Sequence, residues 1–437
     1  MTLRCRQVQA KTRGAVKVSV LCGAFIGACL VCLLILYQMD ALRGAGPAAP
    51  PAPPSGAKKP ANEPRIAYGD PNAKDPAQYA LDLDGQREPT EEELVRQAIE
   101  DYLARMRNIR GPKDQARALA FAGNKAELAA LLRDLPPWAV PIIAELLGKE
   151  PDFVLRRILY DGLAAMGTEE AAAVIRDYFL AHASQEALGS ELRHVIAALG
   201  ASDTAVAYDT LIELLGKDEP HLREYRPQYV EALGKHSRGS QALPLLLDLL
   251  AGDGRFEVRN KSAQAVKNVA KRDAGSCRPV LPELVRSFES ETLIPVRQTT
   301  LGAIGQIGDP ASIPYLAGVG TRSQELDIRL SAAAAASRIG GEEAVRALNE
   351  IYANESQKSV FLDAMGQVPA PAAVEFLQGV AVNAQSTAER LMAVRALARS
   401  EAPEAPDALR AVLAVEQDAA VRAEVERYVR AAERRGS

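Results

Sequence analysis

Residues 294–319 read IPVRQTTLGAIGQIGDPASIPYLAGV, and this stretch decides the fold. Val296, Leu301, Ile304 and Ile307 recur at helical spacing, Gly308 ends the run, and a second apolar run follows. That is one pair of helices joined by a short turn. Its most visible mark is an arginine followed eleven residues later by a glycine, Arg297 and Gly308. The same mark occurs at Arg156/Gly167, Arg223/Gly234 and Arg329/Gly340. Gly200 fits the series without an arginine, and weaker copies start at Arg259, Lys358, Arg390 and Arg422. Closing positions from 167 to 433 step by about 33 residues, the period of a solenoid of helix pairs.

The grammar within a unit has physical reasons. Four residues before the basic residue stands an expected helix N-cap: Asp152, Asn354, Ser386 and Asp418, with Glu219 and Glu325 as poorer versions. Six residues after it the side chain is small in Gly162, Ala265, Ala303, Ala335, Ala364 and Ala396. A small residue there lets neighbouring helices touch.

The unit resembles the HEAT repeat family, and especially the HEAT-like repeats first named from phycobilin lyases. LDIRLSAAAAASRIGGEEAVRALNEI (326–351) and FVLRRILYDGLAAMGTEEAAAVIRDYF (153–179) are similar to it as well, and the resemblance covers roughly residues 141–433. It implies a binding scaffold more often than an enzyme, and a fold alone assigns no activity. The expected fold is all-α: an α-solenoid of about eight to nine helix-pair repeats, preceded by one transmembrane helix and a Pro/Ala-rich linker.

The expected transmembrane helix is 18–38. Val18 to Tyr37 is an uncharged run of 20 residues, long enough for a bilayer core. Signal-peptide cleavage and lipidation at Cys29 fit less well, because the apolar run continues past Cys29 and no small-residue cleavage site closes it. Residues 1–17 carry five basic side chains and no acid, which places this tail in the cytoplasm and the rest outside it. Ser19, Gly23 and Gly27 lie four apart, a pattern for pairing of membrane helices. The chain thus divides into a basic tail (1–17), the span (18–38), a flexible linker (39–89), an N-terminal helical cap (90–140) and the solenoid (141–437). Thr90-Glu91-Glu92-Glu93 is a capping box that starts the cap, with Leu94, Ala98, Tyr102 and Met106 following every four residues.

Composition narrows the function. The chain is 48% hydrophobic but only 5% aromatic, which suits closely packed helices. Its main body is acidic, which argues against nucleic acid as a partner. Beyond Cys32 the only cysteine is Cys277, so thiol chemistry is not expected in the solenoid. No phosphate loop, GxSxG or HExxH is present. One Glu191-x-x-His194 occurs, too little for a di-iron centre. No catalytic, metal or cofactor residues are expected, and the chain is not read as an enzyme. The one local departure is EPHLREYRPQY (219–229), where His221, Tyr225 and Tyr229 form a candidate partner surface and Pro227 is expected to bend the helix. The reading is a single-pass inner-membrane scaffold or adaptor with an extracytoplasmic solenoid. Its partners are membrane lipid at 18–38, a protein on the solenoid, and a second copy through the membrane helix. The alternatives are a ligand-binding or lyase-like module and an accessory subunit of an envelope enzyme.

Overall fold

The capping box forms as spelled. The Thr90 backbone N–H donates to Glu93 Oε2 at 2.7 Å, and the Glu93 N–H donates to Thr90 Oγ1 at 3.3 Å. They start α1 (Glu91–Ile109), which buries Ile99, Leu103 and Met106. The buried stripe differs from the expected four-residue series, because steps of four drift around a helix of 3.6 residues per turn. Leu94 is left exposed.

The computed structural model describes residues 89–109, 115–355 and 358–436, which fall within one unit, 82–437. Every regular element among them is helical. After α1 come α2 (Gln115–Asp134) and α3 (Val140–Lys149). Eight pairs follow: α4 and α5 (Phe153–Met166, Glu169–His182), α6 and α7 (Gly189–Ser202, Ala205–Gly216), α8 and α9 (Arg226–Lys235, Leu243–Gly252), α10 and α11 (Phe256–Arg272, Leu281–Ser290). Then come α12 and α13 (Ile294–Ile307, Ile313–Arg322), α14 and α15 (Leu326–Ile339, Gly341–Asn354), α16 and α17 (Leu362–Gly366, Pro371–Asn383), α18 and α19 (Thr387–Arg399, Ala405–Val415). The last helix is α20 (Ala419–Gly436), and single turns are left unlabelled. First helices stack on first helices and second on second, giving two rows.

Local chemistry explains the pairs. Gly167 and Gly308 end α4 and α12 with φ of 62° and 72°, a left-handed conformation that glycine adopts without strain. Gly340 also ends its helix, α14, but with a different backbone geometry. It follows the last residue of α14, but its φ of 78° comes with a ψ of −171°, so the chain straightens where the other two curl. The same residue stands at the N-terminal cap of α15, which begins at Gly341. One glycine thus closes the first helix and opens the second, with no loop between them. An eleven-residue count places it correctly but does not distinguish the two geometries.

Many second helices begin with proline in their first turn, where the missing N–H costs nothing: Pro244, Pro282, Pro314, Pro371 and Pro406. Asp152, Ser386 and Asp418 cap their helices as expected, Asp152 accepting from the Val154 N–H at 2.8 Å. Asn354 does not, since it is the last residue of α15.

Two expected terminators lie inside helices. Gly200 and Gly234 are within α6 and α8, and a Cβ added to Gly234 would sit 2.6 Å from the Ala265 Cα. They serve close approach instead. A Cβ on Gly200 would likewise meet Ala232, one on Gly305 would meet Ala335, and one on Gly366 would meet Ala396. The small residue six after the arginine therefore touches a glycine of the preceding repeat.

The repeat arginines form a sheltered ladder. Arg156 donates from Nε and Nη2 to Glu191 of α6 at 2.7 and 2.5 Å, and from Nη1 to the Glu150 carbonyl at 2.8 Å. Arg259 does the same with Glu291 (2.7 and 3.2 Å) and the Asp253 carbonyl (2.9 Å). Arg329 pairs with Glu355 at 2.6 Å and the Ser323 carbonyl at 3.0 Å, and Arg390 with Glu416 at 3.1 Å and the Ala384 carbonyl at 2.9 Å. Each guanidinium thus satisfies a carbonyl six residues back and a carboxylate of the next repeat. Arg297 makes a looser rung, with Nη1 at 3.7 Å from Glu325 and its guanidinium over the Phe288 ring.

Arg223 is a correction. It is exposed and pairs with Asp218, while Arg226 is sheltered and approaches Asp253 at 3.5 Å. The helix expected to bend at Pro227 instead breaks after Arg223 and restarts, with Pro227 in the first turn of α8. The register moves by three residues, so the small position is Ala232 and not Tyr229.

The membrane localisation is also corrected. Among the described residues no helix is long and apolar enough to cross a membrane. The longest helices carry charges on their faces, as Arg117, Lys125, Glu127 and Arg133 do in α2. The expected span, 18–38, with Ser19, Gly23 and Gly27, lies outside the described residues.

Glu191 tests the ladder. Replacing it by alanine leaves the sheltered Arg156 without its carboxylate, a change that costs about 3 kcal/mol. Hydrogen exchange of the α4 and α6 amides should accelerate while α18–α20 keep their protection.

Candidate functional site

The ladder lacks an arginine at Gly189, in the repeat of α6, and it is interrupted again at Lys358. This residue holds the repeat's basic position, yet its first helix, α16, is only five residues long after a turn at Lys358–Phe361. Six residues before Arg259, Arg297 and Arg422 stand Asp253, Glu291 and Glu416; Ser323 stands before Arg329 but Glu325 follows that serine, whereas Ala384, Gln385 and Ser386 before Arg390 include no acid. The carboxylate that would receive Lys358 is missing. Its ammonium instead lies 5.2 Å from the centroid of the Tyr352 ring.

A groove of about 820 Å³ opens at this break, between α15, α17 and the start of α18. Tyr352 and Phe376 form its aromatic corner, with ring centroids 5.3 Å apart and planes at 88°. Tyr352 Oη donates to Glu389 Oε2 at 3.1 Å. Burial first, and then Glu389, push the Tyr352 phenol up to about 12. Arg346, Lys358, Glu375 and Glu389 line the groove, and none of them makes an ion pair within the described residues. The side-chain amides of Asn349, Asn383 and Gln385 also line it.

Gly379 lines the groove from the interior of α17. A glycine there weakens the helix by about 0.5–1 kcal/mol relative to alanine. Nothing lies within 4 Å of a Cβ built on it, so no neighbour requires its smallness. The space it leaves belongs to the groove.

The candidate surface from the sequence lies elsewhere and is mostly closed. Tyr225 and Tyr229 are 3% and 0% exposed, and both meet Phe179 edge to face, at 5.8 and 6.0 Å. Only His221 is open, with Nε2 3.4 Å from Glu219. The three side chains therefore do not form a stripe, because the break before Arg226 rotates Tyr229 into the core. Trp138 is exposed on a turn before α3.

Glu191 and His194 do not converge. Glu191 is buried and accepts from Arg156, from Tyr160 Oη and from Tyr178 Oη, both hydroxyls at 2.9 Å. Burial pushes its carboxyl up, but those hydrogen bonds outweigh it and hold the group below the usual range. His194 faces Asp161, with Nε2 at 2.9 Å. Among the described residues no cluster of three His, Cys, Asp or Glu side chains is placed to hold a metal ion. Cys277 is buried, and burial pushes its thiol up to about 11, which keeps it protonated.

No family model matches the chain, and no curated protein is significantly similar to it. Its neighbours among solved structures are HEAT/ARM-repeat helical proteins. Human deoxyhypusine hydroxylase is 21% identical, with 61% of this chain and 97% of that chain covered and a TM-score of 0.28. A Kap121p mutant is 14% identical, with 76% and 41% covered and a TM-score of 0.45. The CpcE–CpcF complex of phycocyanin lyase from Nostoc sp. PCC7120 is 18% identical, with 66% and 100% covered and a TM-score of 0.30. The chain thus spans well under half of Kap121p and nearly all of the other two. At these identities and TM-scores none of them assigns an activity here.

Two outcomes follow from the buried polar groups. Tyr229 Oη has no hydrogen-bond partner among the described residues, whereas Tyr160 Oη serves Glu191. Tyr229→Phe should leave the melting temperature unchanged or raise it, and Tyr160→Phe should lower it, by about 1–3 kcal/mol in stability. His236 is fully buried. Its Nδ1 accepts from the Arg238 N–H at 3.1 Å, so Nε2 carries the proton given to the Thr204 carbonyl at 3.1 Å. Burial, with Arg238 and Arg272 nearby, holds the imidazole below its ordinary value against the opposing pull of Thr204 and Asp203. The unfolded chain then binds a proton that the folded chain does not, so stability is lost as pH falls through about 6.5. Denaturation at pH 7.5 and 5.5 should show that loss, and His236→Asn should reduce it.

Proposed function

We propose that the described solenoid is a protein-binding scaffold and that its docking site is the groove between α15 and α17. Gly379 carries this reading: a glycine that weakens its helix and that no neighbour requires keeps the groove open. Two further features support it. The groove's charges lack ion-pair partners within the described residues, so a partner that meets them displaces no rung of the ladder. The walls are helices set by the ladder on either side, with Arg329–Glu355 before the break and Arg390–Glu416 after it. A preformed surface of this kind needs little ordering on binding.

The exposure of Arg346, Asn349 and Glu375 favours a chain lying across the groove over a small molecule enclosed in it. No reaction chemistry converges there, so the scaffold reading is preferred to the lyase-like one.

Peptide display on the full chain tests the proposal. Peptides selected on the wild type should lose at least tenfold in affinity for Gly379→Leu, at a position where an added Cβ meets nothing within 4 Å. Equal binding to both proteins, or no selected peptide at all, overturns the assignment.

A further inference from the structure

We infer that the aromatic corner of the groove receives a cationic side chain of the partner segment, arginine or lysine, and that Lys358 stands in for it in the unbound chain. This rests on the docking reading above and names its chemistry.

The corner already holds a cation. Lys358 Nζ is 5.2 Å from the centroid of Tyr352, and Phe376 closes the second wall at 88°. A ring face attracts a cation through its quadrupole, more strongly where the site is partly dry. At the edge of the ring the Tyr352 hydroxyl donates to Glu389, which adds negative potential to the same corner. Glu375, the residue before Phe376, lines the groove as a second carboxylate. Neither acid forms an ion pair with any described residue, Lys358 included. The site therefore offers two unneutralised carboxylates beside an aromatic face.

Lys358 reaches the ring but neither carboxylate. A guanidinium is planar, stacks on aromatic faces and pairs with carboxylates in a fork, so it can satisfy ring and acid together. Position 358 is free for this role because Ala384 leaves it no ladder partner. The partner's cation then competes with Lys358 for the ring. Arg346, exposed and without an ion pair among the described residues, adds positive charge at the groove and is the chief opposing feature.

The test uses the full chain and fluorescein-labelled ten-residue Gly/Ser peptides bearing one leucine and either two arginines or two glutamates, read by anisotropy. The arginine peptide should bind at least tenfold more tightly than the glutamate peptide. Lys358→Ala should strengthen its binding several-fold, since the competitor is gone. The double variant Glu375→Gln, Glu389→Gln keeps side-chain shape and should weaken it at least fivefold. A glutamate peptide that binds equally or better, with sensitivity to Gly379→Leu, overturns the cation assignment and leaves the groove reading standing, with Arg346 and Lys358 as the readers. Weaker binding in Lys358→Ala also overturns it. Binding of neither peptide above the Gly379→Leu level overturns the inference and counts against the groove.

Discussion

The sheltered guanidinium–carboxylate rung is the interaction on which the rest of this structure depends. A helix pair cannot bury its apolar stripe alone, so each repeat needs its neighbour in one register. The rung supplies that register. Arg259, for example, binds the carbonyl at the start of its own unit and the carboxylate that opens the next one, Glu291. Glu291 in turn accepts from the backbone N–H groups of Thr292 and Leu293, which orders the turn before α12. A buried ion pair gains little net energy once desolvation is counted. Its effect is to make displaced arrangements costly, since any slip strands a charge. The glycine–alanine contacts, such as Gly234 on Ala265, then set how closely the first helices approach.

This arrangement explains why the groove lies where it does. Where the acid is absent, at Ala384, the basic residue is a lysine, the first helix shortens to Leu362–Gly366, and the second helices α15 and α17 leave an open groove. A departure from a repeat's own rule is where the rule's constraint is relaxed, and binding surfaces occupy such places. Arg329–Glu355 and Arg390–Glu416 hold the helices on either side.

Much of the repeat could be read before any coordinates. The stripe Val296, Leu301, Ile304 and Ile307 is buried, and Gly308 ends α12. The arginines at 156, 297 and 329 stand out as a mark, but their partners do not, because those lie 26–35 residues away in the chain. The eleven-residue count marks Arg223, whereas Arg226 takes the sheltered position, because the count cannot see that the helix restarts at Arg226. The same shift hid the burial of Tyr225 and Tyr229. Gly340 was placed correctly at the end of α14, but its second role at the start of α15 depends on a backbone turn that the count does not carry. The groove left one trace, the weaker copy starting at Lys358, and that trace acquires meaning only beside Ala384, Tyr352 and Phe376.

What the sequence determined by itself is the local order: which segments are helical, where most of them start and stop, and that they repeat. These follow from hydrophobic period, caps, proline and glycine, all of which act within a few residues. Tertiary structure alone decided which charges pair, which tyrosines are buried and where the surface opens. Those outcomes depend on distances between residues of different repeats. A turn that is one helix break out of step reverses them without changing the pattern along the chain.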